Sequence, residues 1–376
     1  MFDENVNLNE DKIAEEITEE ESVINKEEEI EGNPSLNEEK QEQQAVPQPN
    51  FYNFYNFAVT KEQLEKQEIK KLGRAIGFSF LVFYALMWVL NIIGILIARI
   101  FEPDYIKAIN LLSEPAIAQV QQIIFSISVF TLPFIFVFKL FNYRISDLIS
   151  FKAPRGKKSL YLFLFGISFC SFANIVASIA GQIFDNAGIN YDVDFGDNPE
   201  GIFGIILSFL ATAIVPALAE EFACRGIMMG ALRKKGEAFA VIVSSVLFGL
   251  MHSNFEQIPF AFLVGLVLAY VTIKSDTIWI AVAVHFFNNG VSLIYSYFLN
   301  DLSVTIQNIS YTIFLIVCLI LGIFAVSKLS SEPDMFRFSN DTAVTGLKER
   351  FKWFFLSVPV LIYSVICILS SLAYFK

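Results

Sequence analysis

The chain has 376 residues, 55% of them hydrophobic and only 17% charged, with a mean hydropathy of +0.54 and a net charge of −11. That apolar excess is more than a soluble domain can bury. Runs of roughly 20 apolar residues recur, so the fold class implied is all-α, a polytopic transmembrane helix bundle.

Residues 1–50 are a different material. Sixteen acids, Asp3 and Asp11 among them, face only Lys12, Lys26 and Lys40, a net charge of −13 that leaves about +2 for the rest. Such a segment cannot bury enough apolar surface to fold alone and reads as a disordered acidic tail, solvated or used for docking. It lacks the basic start and apolar core of a signal peptide. Residues 51–74 follow as a cytoplasmic juxtamembrane segment, opening with the aromatic run Phe51 to Phe57. Its rings suit a membrane interface or local packing.

From residue 75 to 376 the hydropathy gives about nine spans, eight or nine depending on where edges fall. They lie at about 75–98, 118–138, 159–181, 201–232, 238–254, 258–273, 277–298, 310–327 and 353–374. The fourth is too long for a simple span and is expected to kink near Pro216. If the spans alternate, one side collects Lys61 to Arg74, Lys139 to Lys158, Arg233 to Lys235, Lys274 and Lys328 to Lys352. The other keeps Arg99, Lys107, Lys376 and the acidic loop from Asp185 to Glu200. The positive-inside rule then puts the N-terminus in the cytoplasm and the C-terminus outside. Topology accounts for the basic loops, and no nucleic-acid-binding patch remains. Cys170, Cys224, Cys318 and Cys367 all fall within spans, without a C-x-x-C spacing. They read as small apolar packers, with no disulfide, zinc ribbon or cysteine nucleophile implied.

Both histidines of the chain, His252 and His285, sit in these apolar stretches, and a third stretch carries Glu220, Glu221 and Arg225. An ionisable group at membrane depth costs roughly 2.5–3.5 kcal/mol on insertion scales, so it is rare unless paired or functional. Glu221 and Arg225 are i, i+4 with the acid first, the favourable order for an ion pair, and self-neutralisation is one reading of both. Glu220 has no such local partner and points about 100° round the helix, towards another element. At ~1.5 Å per residue, Glu220, His252, His285 and Asn289 lie roughly 18, 21, 12 and 18 Å in from the basic ends of their spans. They could share one layer. His285 and Asn289, also i, i+4, lie on one helix face; each alone could be interhelical glue.

Glu220-Glu221-Phe222-Ala223-Cys224-Arg225 resembles the E-E-x-x-x-R motif of the CAAX prenyl protease and bacteriocin-processing (CPBP, or Abi) family. Phe248 to His252 is similar to its F-x-x-x-H motif, and His285 to Asn289 to its H-x-x-x-N motif, in family order. The resemblance covers roughly 201–298 and implies a catalytic core there. It implies an intramembrane endopeptidase of a bacterial plasma membrane, with no cofactor and no metal. Glu220 and His252 would activate water, His285 and Asn289 would form the oxyanion site, and Glu221 and Arg225 would support them. The implied partners are the bilayer and a peptide or protein substrate, either a lipidated C-terminal tail or a bacteriocin precursor.

The chemistry is coherent, because amide hydrolysis needs a base for water and donors for the developing oxyanion. Zinc accepts the same carboxylates and imidazoles, so a zinc-dependent membrane metalloprotease is the neighbouring reading, although no H-E-x-x-H helix is present. A proton- or ion-coupled transporter would show Gly/Pro-broken spans in matching positions, which the sequence lacks. An inactive membrane scaffold fits poorly with an intact motif set.

Overall fold

A computed structural model describes residues 60–186, 198–340 and 342–372. The acidic tail, the aromatic run and most of the acidic loop lie outside the described residues. Among the described residues the chain is helical, without strands: α1 Lys61–Phe101, α2 Tyr105–Ser113, α3 Pro115–Leu140, α4 Gly156–Asn186, α5 Gly201–Arg233, α6 Glu237–Leu250, α7 Gln257–Ser275, α8 Trp279–Ile294, α9 Val304–Leu329, α10 Leu347–Phe355 and α11 Val358–Leu372.

Local chemistry sets the ends. Thr60 and Gln63 form a reciprocal capping box at the start of α1, satisfying orphan backbone donors there. At 41 residues α1 is about 60 Å long, twice the hydrocarbon thickness, so only part of it can be embedded. Its first half buries a stripe through Ile69, Leu72, Ile76, Phe80 and Phe83. Ile92, Leu96 and Ile100 in the second half are more than half exposed, as befits a lipid-facing surface. Phe80 stacks on Tyr363 of α11 at 4.3 Å and meets Phe134 of α3 edge-on at 5.2 Å.

Six helices (α1, α3, α4, α5, α7 and α9) are long and apolar enough to cross a membrane, and the α10–α11 pair makes a seventh if counted as one span. The protein is therefore a multi-pass membrane protein. The length and composition of the described helices do not reach the nine spans expected. The fifth expected span is the 14-residue α6, which stops at Leu250 because the chain turns through Met251 to Ser253, where Ser253 takes φ +49°. The seventh is the 16-residue α8, extended by a π-helical turn over Tyr295–Leu299. The ninth is bent by 75° between α10 and α11, beside Pro359, which has no N–H to continue a helix. The fourth differs in another way. α5 runs unbroken through Pro216, and the strain is absorbed by two π-helical segments instead of a kink.

The bundle wraps α5. α3 packs on one side and α8 on the other, α6 and α7 form a close pair, and α4 lies against α7, α8 and α9. The basic end is tied by Asp276, in a left-handed conformation after α7, which accepts from Lys152 at 2.5 Å and from Arg233 at 3.0 Å. Burial alone would push its carboxyl up. The hydrogen bonds and charges of Lys152 and Arg233 outweigh that and hold it below its ordinary value.

Glycine permits a close helix crossing. A Cβ at Gly77 of α1 would lie 2.6 Å from the Val360 amide nitrogen and 2.7 Å from the Pro359 carbonyl carbon of α11. Gly77→Ala must push backbone apart, and overpacking of this kind typically costs about 1–3 kcal/mol. It should lower the thermal midpoint of detergent-solubilised protein, whereas Gly346→Ala, with open space around it, should leave it unchanged.

Candidate active site

The site begins with the shape of α5. Thr212 stands four residues before Pro216, so the i+4 position that would normally donate to its carbonyl has no N–H. There the helix widens into a π segment, Phe209–Ile214. A second π segment, Phe222–Met228, follows directly after Glu221. The seven-residue α-helical stretch Val215–Glu221 between them carries both glutamates. Such π segments recur at functional sites because they break the regular pairing of backbone and side-chain positions.

Glu221 is wholly buried. Its Oε1 accepts from Arg225 Nη1 at 3.0 Å and from His285 Nδ1 at 2.9 Å. Arg225 is equally enclosed. Its Nη2 donates to the Gly265 carbonyl of α7 at 3.3 Å, and its guanidinium lies 4.0 Å over the Phe248 ring of α6. Two side chains of one helix thereby fasten three others. The i, i+4 pair read from the sequence is present, with a second contact that spacing could not reveal: Glu221 also holds a histidine 64 residues away.

That bond orients His285. With Nδ1–H given to Glu221, Nε2 points the other way, 4.0 Å from Glu220 Oε2. This separation sets the two side chains close together without forming a hydrogen bond. The orphan glutamate of the sequence thus meets α8, and its side chain keeps 14% exposure against none for Glu221. His252 sits in the turn after α6. Its Nδ1 lies 2.9 Å from the Phe248 carbonyl, which can only accept, so Nδ1 carries the hydrogen and Nε2 keeps its lone pair. Phe248 spaces the two imidazoles, meeting His252 and His285 nearly edge-on at 5.4 and 6.0 Å between ring centroids. Behind His252, the Tyr84 hydroxyl of α1 hydrogen-bonds the Ser253 hydroxyl.

Asn289 is placed differently from the other three. It lies one turn beyond His285 on α8, but its Nδ2 donates to the Thr212 carbonyl at 3.0 Å, and its Oδ1 accepts from Asn288 at 3.2 Å. Thr212 precedes Glu220 by eight residues, about two helical turns. The structure therefore joins Glu220, Glu221, Arg225, His285, Phe248 and His252 in one network. Asn289 is joined through α8 and through the carbonyl beside Pro216. Among the described residues no group of three His, Cys, Asp or Glu side chains is arranged to hold a metal ion. Sequence reading missed Asn288, the Thr212 carbonyl and the Gly265 carbonyl; only the first had a signal, an amide side chain at membrane depth.

Breaking one partner of a buried charge pair leaves the other uncompensated, at about 3–5 kcal/mol. Arg225→Ala should strongly lower the thermal stability of solubilised protein. The Glu221→Gln/Arg225→Gln double variant should recover part of that loss. Strictly additive losses of the single variants would show that the pair is not coupled.

With this geometry in place, comparison with known proteins is informative. Residues 202–291 match the family model described as type II CAAX prenyl endopeptidase Rce1-like. Over 98 residues the chain is 29% identical to the protein described as "Putative membrane peptidase YdiL" of Bacillus subtilis (strain 168), a quarter of this chain and 40% of that relative. No solved structure gives a significant match. The matched segment holds Glu220, Glu221, Arg225, His252, His285 and Asn289, and over that segment the chain is similar to CAAX-type membrane endopeptidases.

Proposed function

We propose that this protein is an intramembrane endopeptidase in which Glu220 and His252 activate water while His285 and Asn289 stabilise the oxyanion. The observation that carries this reading is the unequal bonding of neighbouring groups. Glu221 and Arg225 are locked to fixed partners with no exposed side-chain surface. Glu220 and His252 Nε2 are left able to take a proton. Water between them gives a proton to a carboxylate or imidazole as its oxygen attacks the scissile carbonyl, and the same group returns the proton to the leaving amine. The His285 Nδ1–H is committed to Glu221, so Nε2 donates in the imidazolium form, whose charge sits between Glu220 and Glu221. Asn289 keeps a second amide hydrogen beyond the one given to Thr212.

Two features beside Glu220 suit a membrane-borne substrate. Leu218, Ala219 and Phe222 line an apolar groove of about 310 Å³ that also borders Ile127 and Trp279. On the basic side, Arg225, Arg233 and Lys152 border a cavity of about 470 Å³ that Ile149, Met229 and Ile278 also line. An apolar or lipidated tail fits the groove. The basic end is read as cytoplasmic by the positive-inside rule. The substrate is a peptide bond near the membrane, in a prenylated C-terminal tail or a bacteriocin leader. A Bacillus relative accords with a bacterial membrane.

Glu220→Gln keeps size and hydrogen bonding but removes basicity. Comparing new protein termini in membranes from cells with the wild-type or Glu220→Gln chain should show a set of cleavages reduced at least about 100-fold, the lower range for general-base catalysis. Equal cleavage by a folded variant would remove Glu220 from the mechanism.

The zinc reading rests on residue types alone, since Glu220 and Glu221 face opposite nitrogens of His285. Without a metal, purified protein carries no stoichiometric zinc by elemental analysis, and strong chelators leave turnover intact. One zinc per chain, lost together with activity in His285→Ala, would replace the glutamate mechanism with a metalloprotease.

A further inference from the structure

We propose that Asn288, at an unspecified position of the H-x-x-x-N motif, is a positioning residue that fixes which end of the Asn289 amide faces the reaction. This deepens the oxyanion reading above and rests on it. An asparagine amide is nearly symmetric in shape but opposite in chemistry at its two ends, with two N–H donors on one and a carbonyl acceptor on the other. Turned over, Asn289 would present its oxygen to a developing negative charge and repel it.

Two contacts prevent the turn. Asn288 Nδ2 donates to Asn289 Oδ1 at 3.2 Å, and Asn289 Nδ2 donates to the Thr212 carbonyl at 3.0 Å. Asn288 is itself set from the other side, where its Oδ1 accepts from Asn174 Nδ2 of α4 at 3.3 Å. Asn174 Nδ2 also gives a hydrogen to the Cys170 carbonyl at 3.0 Å. Donation therefore runs one way, from Asn174 through Asn288 and Asn289 to Thr212, across α4, α8 and α5.

Helix geometry alone does not produce this. Neighbours on a helix point about 100° apart and do not normally face one another. Asn288 also borders a cavity of about 260 Å³ with Asn174, Ser171, Ser292 and Tyr311, which offers its amide room and polar company elsewhere. It reaches back to Asn289 all the same. Simple interhelical glue would need the α4–α8 bond only.

The test uses full-length protein in proteoliposomes and a library of internally quenched peptides, with and without a farnesylated C-terminal CAAX sequence. Asn288→Leu removes every hydrogen bond at similar size, and Asn288→Gln keeps the donor with space in the cavity to accommodate it. The expected result is a fall in kcat of at least about 10-fold for Asn288→Leu, with KM within about threefold, the signature of an interaction made in the transition state. Asn288→Gln recovers part of the loss, and adding Asn288→Leu to Asn289→Ala lowers kcat no further. Should Asn288→Leu not fold, Asn288→Ala, which only enlarges the adjoining cavity, carries the same comparison. Wild-type kcat in Asn288→Leu beside a depressed Asn289→Ala overturns the inference and leaves the oxyanion reading standing. So does a full further loss in the double variant. Wild-type kcat in Asn289→Ala overturns the oxyanion role of Asn289 and this inference together, and no cleavage by the wild-type chain overturns the endopeptidase reading with both.

Discussion

A single carboxylate oxygen, Glu221 Oε1, holds the site together by accepting from Arg225 and from His285 at once. Placing a charge where no water reaches it is costly, and an ion pair offsets that cost only when its geometry is good and its remaining valences are filled. Here Glu221 Oε2 and Arg225 Nε have no partner among the described residues, so the pair is not a device for maximal stability. What it provides is position. Arg225 reaches the Gly265 carbonyl on α7 and the Phe248 ring on α6, and Glu221 reaches His285 on α8. Four helices are thereby indexed to one another at the depth where the chemistry is proposed to occur.

The second constraint is Pro216. A proline inside a helix costs a backbone hydrogen bond and usually a kink. α5 instead stays continuous and widens over Phe209–Ile214, and the Thr212 carbonyl beside the proline accepts from a side chain of α8. At membrane depth such a carbonyl needs a donor, because no lipid supplies one. Asn289 meets that need while keeping one hydrogen unspent. The local defect in α5 and the amide on α8 are two halves of one arrangement.

Much of this was legible in the sequence, and the limits have physical causes. Hydropathy identified the long helices α1, α3, α4, α5, α7 and α9, because a run that must face lipid cannot hide its composition. It overcounted where apolar helices are short: α6, at 14 residues, carries the same residue types as a span and differs only in length. The i, i+4 pairing of Glu221 with Arg225 is local and could be read directly. The bond from Glu221 to His285 could not, since it depends on the packing of α5 against α8 rather than on any spacing. Likewise the hydrogen bond from Asn289 to the Thr212 carbonyl depends on the packing of α8 against α5 and could not be read from spacing.

The distribution of filled and unfilled valences separates scaffold from chemistry. Glu220 and Glu221 are adjacent in sequence and identical in type, yet a rotation of about 100° sends one into a closed network and the other to a partly open position. Glu221 has no exposed surface and its Oε1 takes two strong donors, so that oxygen is held by the protein. Glu220 meets His285 only at 4.0 Å, with 14% of its side chain exposed, so its lone pairs are open to something small and protic. The same contrast holds for the imidazoles: His285 is tied through Nδ1 to a carboxylate, His252 only to a backbone carbonyl. One pair of glutamates and one pair of histidines thus divide into a more firmly held and a less firmly held member each. The division follows from the partners that α5, α6 and α8 provide, not from the residue types themselves.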